Sequence, residues 1–351
     1  MRTDFQRRPN RLRSEGLQAG RILALALGLF VGFDLQAGII KKAQVGFRFL
    51  ENPISAEAVG RGGLGLVMFR NANTVFWNPA GLGWINTRLD VAANYTRGIA
   101  DINHGSFAAA VDLGGSRVVA FDGLTIDYGD FYGTRRADND EGYVDTEVFS
   151  PQAFALGLSF GQRVSDRFSY GVRVKYVMQD LGDAWITVDK AEGLTDTTTK
   201  NYALAEPALD LGAIYDFQFH GIRFGAAIQN YSRRISFETQ EIPLPFAISF
   251  SIMVDPLSIV RPDLGDHVLH LGLETRHPRD FKEKVKLGAE YAFRDMFIVR
   301  GGFMGNYDQR GLTLGFGFKQ AWTAGTIRFD YAYQDFGIFQ AVHIVSFGIA
   351  R

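Results

Sequence analysis

Polar and apolar residues alternate along most of the chain, from about Arg88 to the C-terminus. In residues 284–293 (KVKLGAEYAF), valine, leucine, alanine, tyrosine and phenylalanine share one face, whereas two lysines and a glutamate share the other. The same division recurs in residues 167–179 and 326–334. A period of two residues is typical of β-strands, and here one face suits lipid and the other suits water.

About fourteen segments carry this alternation, each close to the roughly 9–11 residues that a tilted membrane-spanning strand needs. They lie near residues 88–96, 104–113, 116–126, 150–163, 167–180, 204–219, 221–231, 244–254, 267–276, 283–293, 296–304, 310–319, 325–335 and 341–350. Long links, 127–149 and 181–203, follow odd-numbered strands, as expected for outward-facing loops; link 255–266 is the exception, because it is long for a periplasmic turn. The pattern predicts an all-β fold, a transmembrane antiparallel up-and-down β-barrel of about 14 strands formed by residues 88–351.

A soluble β-sandwich or propeller would also alternate, but three observations favour the membrane barrel. The apolar face is rich in phenylalanine and tyrosine, and no repeat of propeller length is visible. Residues 1–37 also resemble an export signal, with an arginine-rich start, the apolar run 22–33 and small residues ending at Ala37. We therefore expect cleavage of this signal peptide and location in the outer membrane of a diderm bacterium.

Composition narrows the possible functions. The chain of 351 residues contains 40 glycines, 30 phenylalanines and 13 tyrosines, which favours strands over helices. A formal net charge of -1 argues against a nucleic-acid partner, and the absence of cysteine excludes disulfides and thiolate metal sites.

Residues 38–87 do not alternate, and we interpret them as a plug, or hatch, enclosed in the barrel lumen. Their glycine-rich and Asn-Pro stretches break regular secondary structure, and irregular backbone at membrane depth is tolerated only where protein encloses it. A phosphate-binding loop is the alternative, but no Gly-Lys-Ser/Thr sequence follows. The motif residues are Gly60, Gly62, Gly63, Asn73, Trp77, Asn78, Pro79 and Gly81.

The stretches AVGRGG (58–63) and NANTVFWNPAGL (71–82) resemble the signature of the PorV/PorQ family of outer-membrane proteins. That family is similar to the FadL-like long-chain fatty-acid transporter barrels, so the resemblance implies fourteen strands and an N-terminal hatch. Two positions depart from the usual pattern, because Asn71 stands where Asp is common and Arg61 interrupts a more usual Gly-Met-Gly. Outside the motif, the resemblance extends over the architecture of the chain.

Charged residues on the polar strand faces are predicted to point into the lumen. They carry both signs: Arg173, Lys175, Glu206, Asp210, Arg223, Glu274, Lys286, Glu290, Arg300, Arg328 and Asp330. One interpretation is a salt-bridged interior that holds the plug, and the other is a polar conduit. A pocket for an aliphatic ligand would need apolar side chains, which residues 64–69 of the plug could supply.

No catalytic, metal or cofactor site is predicted. His104 and Ser106 have the spacing of an outer-membrane lipase pair, but we interpret them as residues near a loop and the surface. His267 and His270 should fall on opposite faces of a strand, which does not suit a metal pair.

Three functions remain open. The resemblance to PorV/PorQ implies an accessory or shuttle in type IX-style protein secretion to the cell surface, with a secretion translocon and exported cargo proteins as partners besides outer-membrane lipid. The alternatives are a FadL-like passive transporter of hydrophobic small molecules and a structural barrel. The long outer loops would be the binding surfaces in the first case.

Overall fold

The protein is described by a computed structural model that covers residues 45–189, 195–237 and 240–351. The predicted signal peptide, residues 1–37, lies outside the described residues. The described chain forms the strands β1 (Leu89–Arg97), β2 (Asn103–Asp112), β3 (Arg117–Asp127), β4 (Phe131–Arg136), β5 (Tyr143–Phe149), β6 (Gln152–Arg163), β7 (Phe168–Asp189), β8 (Thr195–Asp216), β9 (Arg223–Tyr231), β10 (Ile235–Phe237), β11 (Gln240–Ile242), β12 (Ala247–Val254), β13 (His267–Pro278), β14 (Lys284–Phe293), β15 (Phe297–Gly305), β16 (Leu312–Trp322), β17 (Gly325–Gln334) and β18 (Val342–Ala350).

The helices are short. Two are α-helices, α1 (Ala56–Gly60) and α2 (Leu257–Val260), and four are 3-10 helices, Arg48–Glu51, Ala72–Phe76, Pro79–Trp84 and Ile99–Asp101. None of the helices in the described part of the chain is long and apolar enough to cross a membrane.

In the described residues, fourteen strands form one closed antiparallel barrel. Each strand pairs with its two neighbours in the wall. The first and last strands also pair, and Asp90 of β1 lies opposite Ala350 of β18. This pairing closes the wall, so the backbone groups of the first and last strands bond to each other. The all-β barrel of about 14 strands predicted from the alternation is confirmed.

Two segments predicted as loops are largely strands. Strands β7 and β8 have 22 residues each and run through most of residues 181–203. Strands β4 and β5 form a hairpin inside residues 127–149, with Phe131 opposite Phe149. Where both faces of a hairpin meet water, polarity no longer alternates although the backbone still pairs, and the pattern therefore missed these strands.

The outer face of the wall carries a band of large apolar side chains. Phe316, Phe329 and Phe347 are 43%, 42% and 46% exposed, and they belong to the neighbouring strands β16, β17 and β18. A water-soluble protein rarely exposes a continuous apolar surface of this size. The band has the character of a lipid-facing surface. Most inward residues of the same strands are small, polar or charged, and the apolar exceptions Val342 and Ile344 pack with Ala56 and Val59.

The two ends of the barrel differ. The start of β1 and the end of β18 lie at one end, here called the turn end, together with short links such as 113–116 and 164–167. The opposite end, here called the loop end, carries links that include 128–151 and 232–246. Link 255–266 at the turn end is long because it contains α2.

Candidate functional site

Residues 45–87, here called the N-terminal segment, lie against the inward faces of the strands. The segment starts at the loop end, where the backbone N–H of Gly46 donates to the carbonyl oxygen of Pro243 (3.0 Å). Further along, the N–H of Ala56 in α1 donates to the hydroxyl of Ser346 on β18 (2.9 Å). Its last 3-10 helix packs against β6, β7 and β8, and the chain then enters the wall as β1.

Glycines in the first motif let the segment touch the backbone of the wall. Gly62 has φ = 75°, and a Cβ atom there would lie 2.5 Å from the carbonyl oxygen of Leu287. Its N–H donates to the hydroxyl of Thr313 (2.9 Å), and that hydroxyl donates to the carbonyl of Gly60 (3.2 Å). The carbonyl oxygen of Gly63 accepts a hydrogen bond from the wall, from Nζ of a lysine on β14 at 3.1 Å. The glycine-rich stretch thus permits a close backbone contact.

We expect Gly62→Ala to lower the free energy of unfolding by about 3 kcal/mol, because the methyl group meets both positive φ and the Leu287 carbonyl. Gly129→Ala is the matched control, since Gly129 has φ = 73° and a methyl group added there would have no atom within 4 Å. It should carry only the backbone strain of about 1–2 kcal/mol. Urea unfolding in lipid bilayers measures both losses, and equal losses would contradict the close contact.

The second motif sits in a notch formed by wall glycines. The side-chain amide of Asn78 donates to the carbonyl oxygen of Ala213 on β8 (3.2 Å). A side chain at Gly212 would collide with Asn78, and one at Gly171 would collide with the backbone of Pro79. The inward face of β7 and β8 therefore lacks side chains where the Asn-Pro motif touches it. This relation depends on strand pairing, so the sequence alone did not reveal it.

The remaining motif residues hold the segment to β1 and to itself. The side-chain oxygen of Asn73 accepts from the amide of Asn94 on β1 (2.9 Å). The ring of Trp77 lies 4.9 Å from that of Phe69, centroid to centroid. Gly81 leaves room for the hydroxyl group of a neighbouring threonine.

The charged residues predicted to point inward are joined in ion pairs across and along the lumen. The pairs are Arg61–Glu290 (2.7 Å), Arg300–Glu290 (2.7 Å), Arg300–Asp330 (2.7 Å), Lys286–Glu274 (2.7 Å), Lys175–Asp210 (2.7 Å), Arg173–Asp210 (3.1 Å), Arg328–Asp90 (2.8 Å), Arg223–Asp216 (2.7 Å) and Arg233–Glu206 (3.3 Å), with a further close pair between Arg173 and Asp122. The sequence analysis did not identify Asp90 and Asp122 as partners in these pairs, nor Arg61 as a partner of Glu290. Most of the interior charge is thereby compensated, as burial requires.

A cavity of about 100 Å³ lies between the N-terminal segment and the wall, near the loop end. Part of its lining is apolar and comes from Leu50, Ile54 and Phe76 of the segment and from Leu124 of β3. The rest is strongly cationic. Its charged lining residues are Arg173, Lys175, Arg276, Lys284, Lys286 and Arg310, with Glu51 and Glu274 as the carboxylates. The cavity is therefore amphipathic, with an excess of positive charge.

Two of these cations, Lys284 and Arg310, are close enough to Glu51 for its charge to act on them, but they do not contact its carboxylate. Nζ of Lys284 lies 4.5 Å from the ring centroid of Tyr307 and 4.9 Å from that of Phe281. Arg310 donates to the backbone carbonyl of Glu51 (3.3 Å). In the described ranges neither cation forms a salt bridge. Their charge is therefore available to an anionic group.

The pKa of Glu51 reflects the excess of positive charge in the cavity. Burial raises the pKa of Glu51, but the charges of Arg276, Lys284 and Arg48 outweigh burial and hold the pKa below its usual value. Burial lowers the pKa of the Arg310 guanidinium, which nevertheless stays protonated near neutral pH. The single negative charge of Glu51 is thus already shared among several cations.

No protein-family model and no curated protein matches the sequence. Solved barrels match its fold. A FadL homologue from Pseudomonas aeruginosa has a TM-score of 0.54 at 12% identity and covers 85% of this chain and 98% of that chain. The toluene transporter TodX from Pseudomonas putida has a TM-score of 0.51 at 9% identity, over 88% of this chain and 98% of that chain. The monoaromatic hydrocarbon channel CymD has a TM-score of 0.51 at 12% identity, over 85% of this chain and 97% of that chain.

The chain has a FadL-like fold. At such low identities the likeness concerns the fold, and function has to be argued from the site.

Residues 64–69, the apolar stretch expected to line a pocket, do not line the cavity of this FadL-like barrel. Leu64, Leu66 and Val67 are buried in a separate cluster with Trp84 and Ile214. The apolar lining of the cavity comes instead from segment residues before and after this stretch and from wall residues such as Leu124. Packing against the wall, which the sequence does not show, decides which of the apolar segment residues face the cavity.

The histidines are also built into wall contacts. His104 is buried, not near the surface as expected, and its Nε2 lies 2.9 Å from the side-chain nitrogen of Asn52. His267 contacts the outward hydroxyl of Tyr291 (2.6 Å), whereas His270 lies 3.7 Å from an inward glutamate, which places the two on opposite faces.

Proposed function

We propose that the protein lies in the outer membrane of a diderm bacterium and lets hydrophobic small molecules pass passively through its lumen. The observation that carries this proposal is the amphipathic cavity, in which apolar side chains lie beside Lys284 and Arg310, two cations that form no salt bridge in the described residues. The likeness in fold to a toluene transporter and to a monoaromatic hydrocarbon channel supports it. The N-terminal segment then acts as the plug that separates the two ends.

The chemistry of the cavity favours a hydrophobic molecule with one anionic end. The apolar part would contact Leu50, Ile54 and Phe76, and its burial contributes about 25 cal/mol per Å². The anionic end would lie near Lys284 and Arg310, because charge-assisted hydrogen bonds are stronger than neutral ones. A volume of about 100 Å³ is too small for a continuous path, so passage requires the N-terminal segment to shift.

Uptake of labelled octanoate and octanol by cells that express the protein tests this proposal. Both should enter faster than in cells with an empty vector. The double variant Lys284→Gln/Arg310→Gln should lower octanoate uptake about tenfold, since one charge-assisted hydrogen bond is worth about 1.5–3 kcal/mol, and should leave octanol uptake unchanged.

The matched control is Arg261→Gln/Arg294→Gln, which removes two positive charges whose side chains are 56% and 65% exposed at the turn end. Octanoate uptake by this control should equal that of the unmodified protein. Uptake at the empty-vector level for both compounds, with normal amounts of folded protein in the membrane, would contradict the proposed passage. An equal loss for octanoate and octanol would contradict the role assigned to the two cations.

The secretion role implied by the PorV/PorQ-like motif stays a prediction. Two of the similar solved barrels are named for hydrocarbon passage, which favours transport over secretion. Purification of the tagged protein from detergent-solubilised membranes separates the two functions. Recovery of a translocon barrel or exported cargo would support secretion, and recovery of the protein alone with a bound acyl ligand would support transport.

A further inference from the structure

We propose that the turn end of the lumen holds an oxyanion-binding site, formed by Arg70, Arg163 and Arg223 around Trp84. The ligand class is a solute that carries a carboxylate or phosphate group, since guanidinium groups bind such oxyanions with directed hydrogen bonds. This site is separate from the cavity near the loop end, because none of these four residues lines that cavity.

Trp84 presents a fixed aromatic ring at the turn end of the lumen, here called the mouth. It is the last residue of the 3-10 helix Pro79–Trp84, its side chain is 8% exposed, and its indole N–H donates to the hydroxyl of Ser169 (2.7 Å). The guanidinium carbons of Arg163 and Arg223 lie over the ring, at 5.2 and 5.1 Å from its centroid. Cation–π contacts at this distance hold both side chains beside the indole without using their N–H donors.

The positive charge at this mouth is incompletely compensated. Arg223 donates to Asp216 through Nε (2.7 Å). In the part of the chain that the structure describes, neither Arg163 nor Arg70 forms a salt bridge with a carboxylate. Arg70 is exposed at the mouth, and the charges of Arg223, Asp216 and Asp295 act on it. Three guanidinium groups thus share this end of the lumen with Asp216 and with Asp295, which is already paired with Lys319. The mutual repulsion of the guanidinium groups would fall when an oxyanion binds.

The site lies at the turn end of the lumen, opposite the cavity, and this position suits an outlet for a solute that crosses the lumen. The middle of the lumen is compensated by ion pairs, whereas both the cavity and this mouth keep an excess of cations. An anionic solute that leaves the cavity would therefore find its next binding site at the turn end. The role as an outlet rests on the proposed passage of hydrophobic molecules, but the binding of an oxyanion does not.

Fluorine NMR of protein labelled with 5-fluorotryptophan tests the binding. The chain contains four tryptophans, and Trp84→Phe identifies the resonance of Trp84. Inorganic pyrophosphate is titrated in a phosphate-free detergent at constant ionic strength. We expect a saturable shift of the Trp84 resonance, and about tenfold weaker binding for Arg163→Gln and for Arg70→Gln.

Arg167→Gln is the matched control, because Arg167 is an exposed arginine in the turn after β6 and should leave the affinity unchanged. Lys284→Gln, near the other end of the lumen, should also leave it unchanged. The absence of a saturable shift, or equal weakening by Arg167→Gln, would overturn the site. Octanoate uptake at the empty-vector level with intact pyrophosphate binding would count against the proposed passage and leave the oxyanion site standing.

Discussion

Asp210→Asn should lower the free energy of unfolding by about 3–5 kcal/mol, because it removes one of the two buried carboxylates that compensate Arg173 and Lys175. Asp210 is 2% exposed on β8 and accepts hydrogen bonds from Nζ of Lys175 (2.7 Å) and from Arg173 (3.1 Å). It also accepts one from the backbone N–H of Asn230 (2.7 Å). After the substitution, Asp122 alone faces both cations. Asparagine keeps the size of the side chain, so the change isolates the charge.

Urea unfolding in lipid bilayers measures this loss, with Asp263→Asn as the control. Asp263 pairs with Arg261 at the surface, where its side chain is 64% exposed, and its replacement should leave stability unchanged. An Asp210→Asn variant as stable as the unmodified protein would show that water reaches this cluster and already screens the charges.

Phe329→Arg should lower the folding free energy in bilayers by about 2–4 kcal/mol, because it places a charge in the outward apolar band near the middle of the wall. Phe329 is the fifth residue of the ten in β17 and is 42% exposed on the outer face. Tyr291 should be less sensitive, since its hydroxyl bonds to His267 (2.6 Å) close to the turn end, where polar groups are tolerated.

Tyr132→Arg is the control for this second variant. Tyr132 lies in the β4–β5 hairpin and is 83% exposed, but this hairpin is separate from the barrel sheet. An arginine there should not change the folding free energy. If Phe329→Arg were as harmless as Tyr132→Arg, the outer face of β17 would be in contact with water, and the membrane-spanning interpretation of the wall would be wrong.

The sequence was sufficient to predict the wall because strand direction and side-chain face depend on a local period of two residues. Strand β14 shows this, since its lysines and Glu290 point inward and Leu287 points outward. The prediction was less accurate where strand residues are exposed on both faces, because polarity then no longer alternates along the strand. Residues 181–184 of β7 and 198–203 of β8 are exposed or half-buried on both faces, so nothing in their polarity marks them as strands.

The candidate site was less predictable than the wall. The period of two residues places Arg276 on the same inward face as Glu274, and Lys284 on the same face as Lys286. Arg310 lies in a link between strands, where no alternation marks its direction. Arg276 pairs with Glu51, Arg310 donates to its backbone carbonyl and Lys284 lies near it. These three come together only because β13, β14 and the 306–311 link converge around the N-terminal segment. Which inward charges remain unpaired follows from distances across the closed lumen, and a linear pattern contains no such distances.

Closure of the wall between β1 and β18 also bears on how the protein folds. The N-terminal segment leads directly into β1, and its helix α1 bonds to β18 through Ala56 and Ser346, which are 290 residues apart. Contacts of such long range form late, because closing a long loop costs chain entropy before any contact offsets it. Pairing of β18 with β1 therefore closes the barrel and fixes the N-terminal segment inside it in the same step. Destabilising β18 should slow this step more than an equal destabilisation of a hairpin in the middle of the chain.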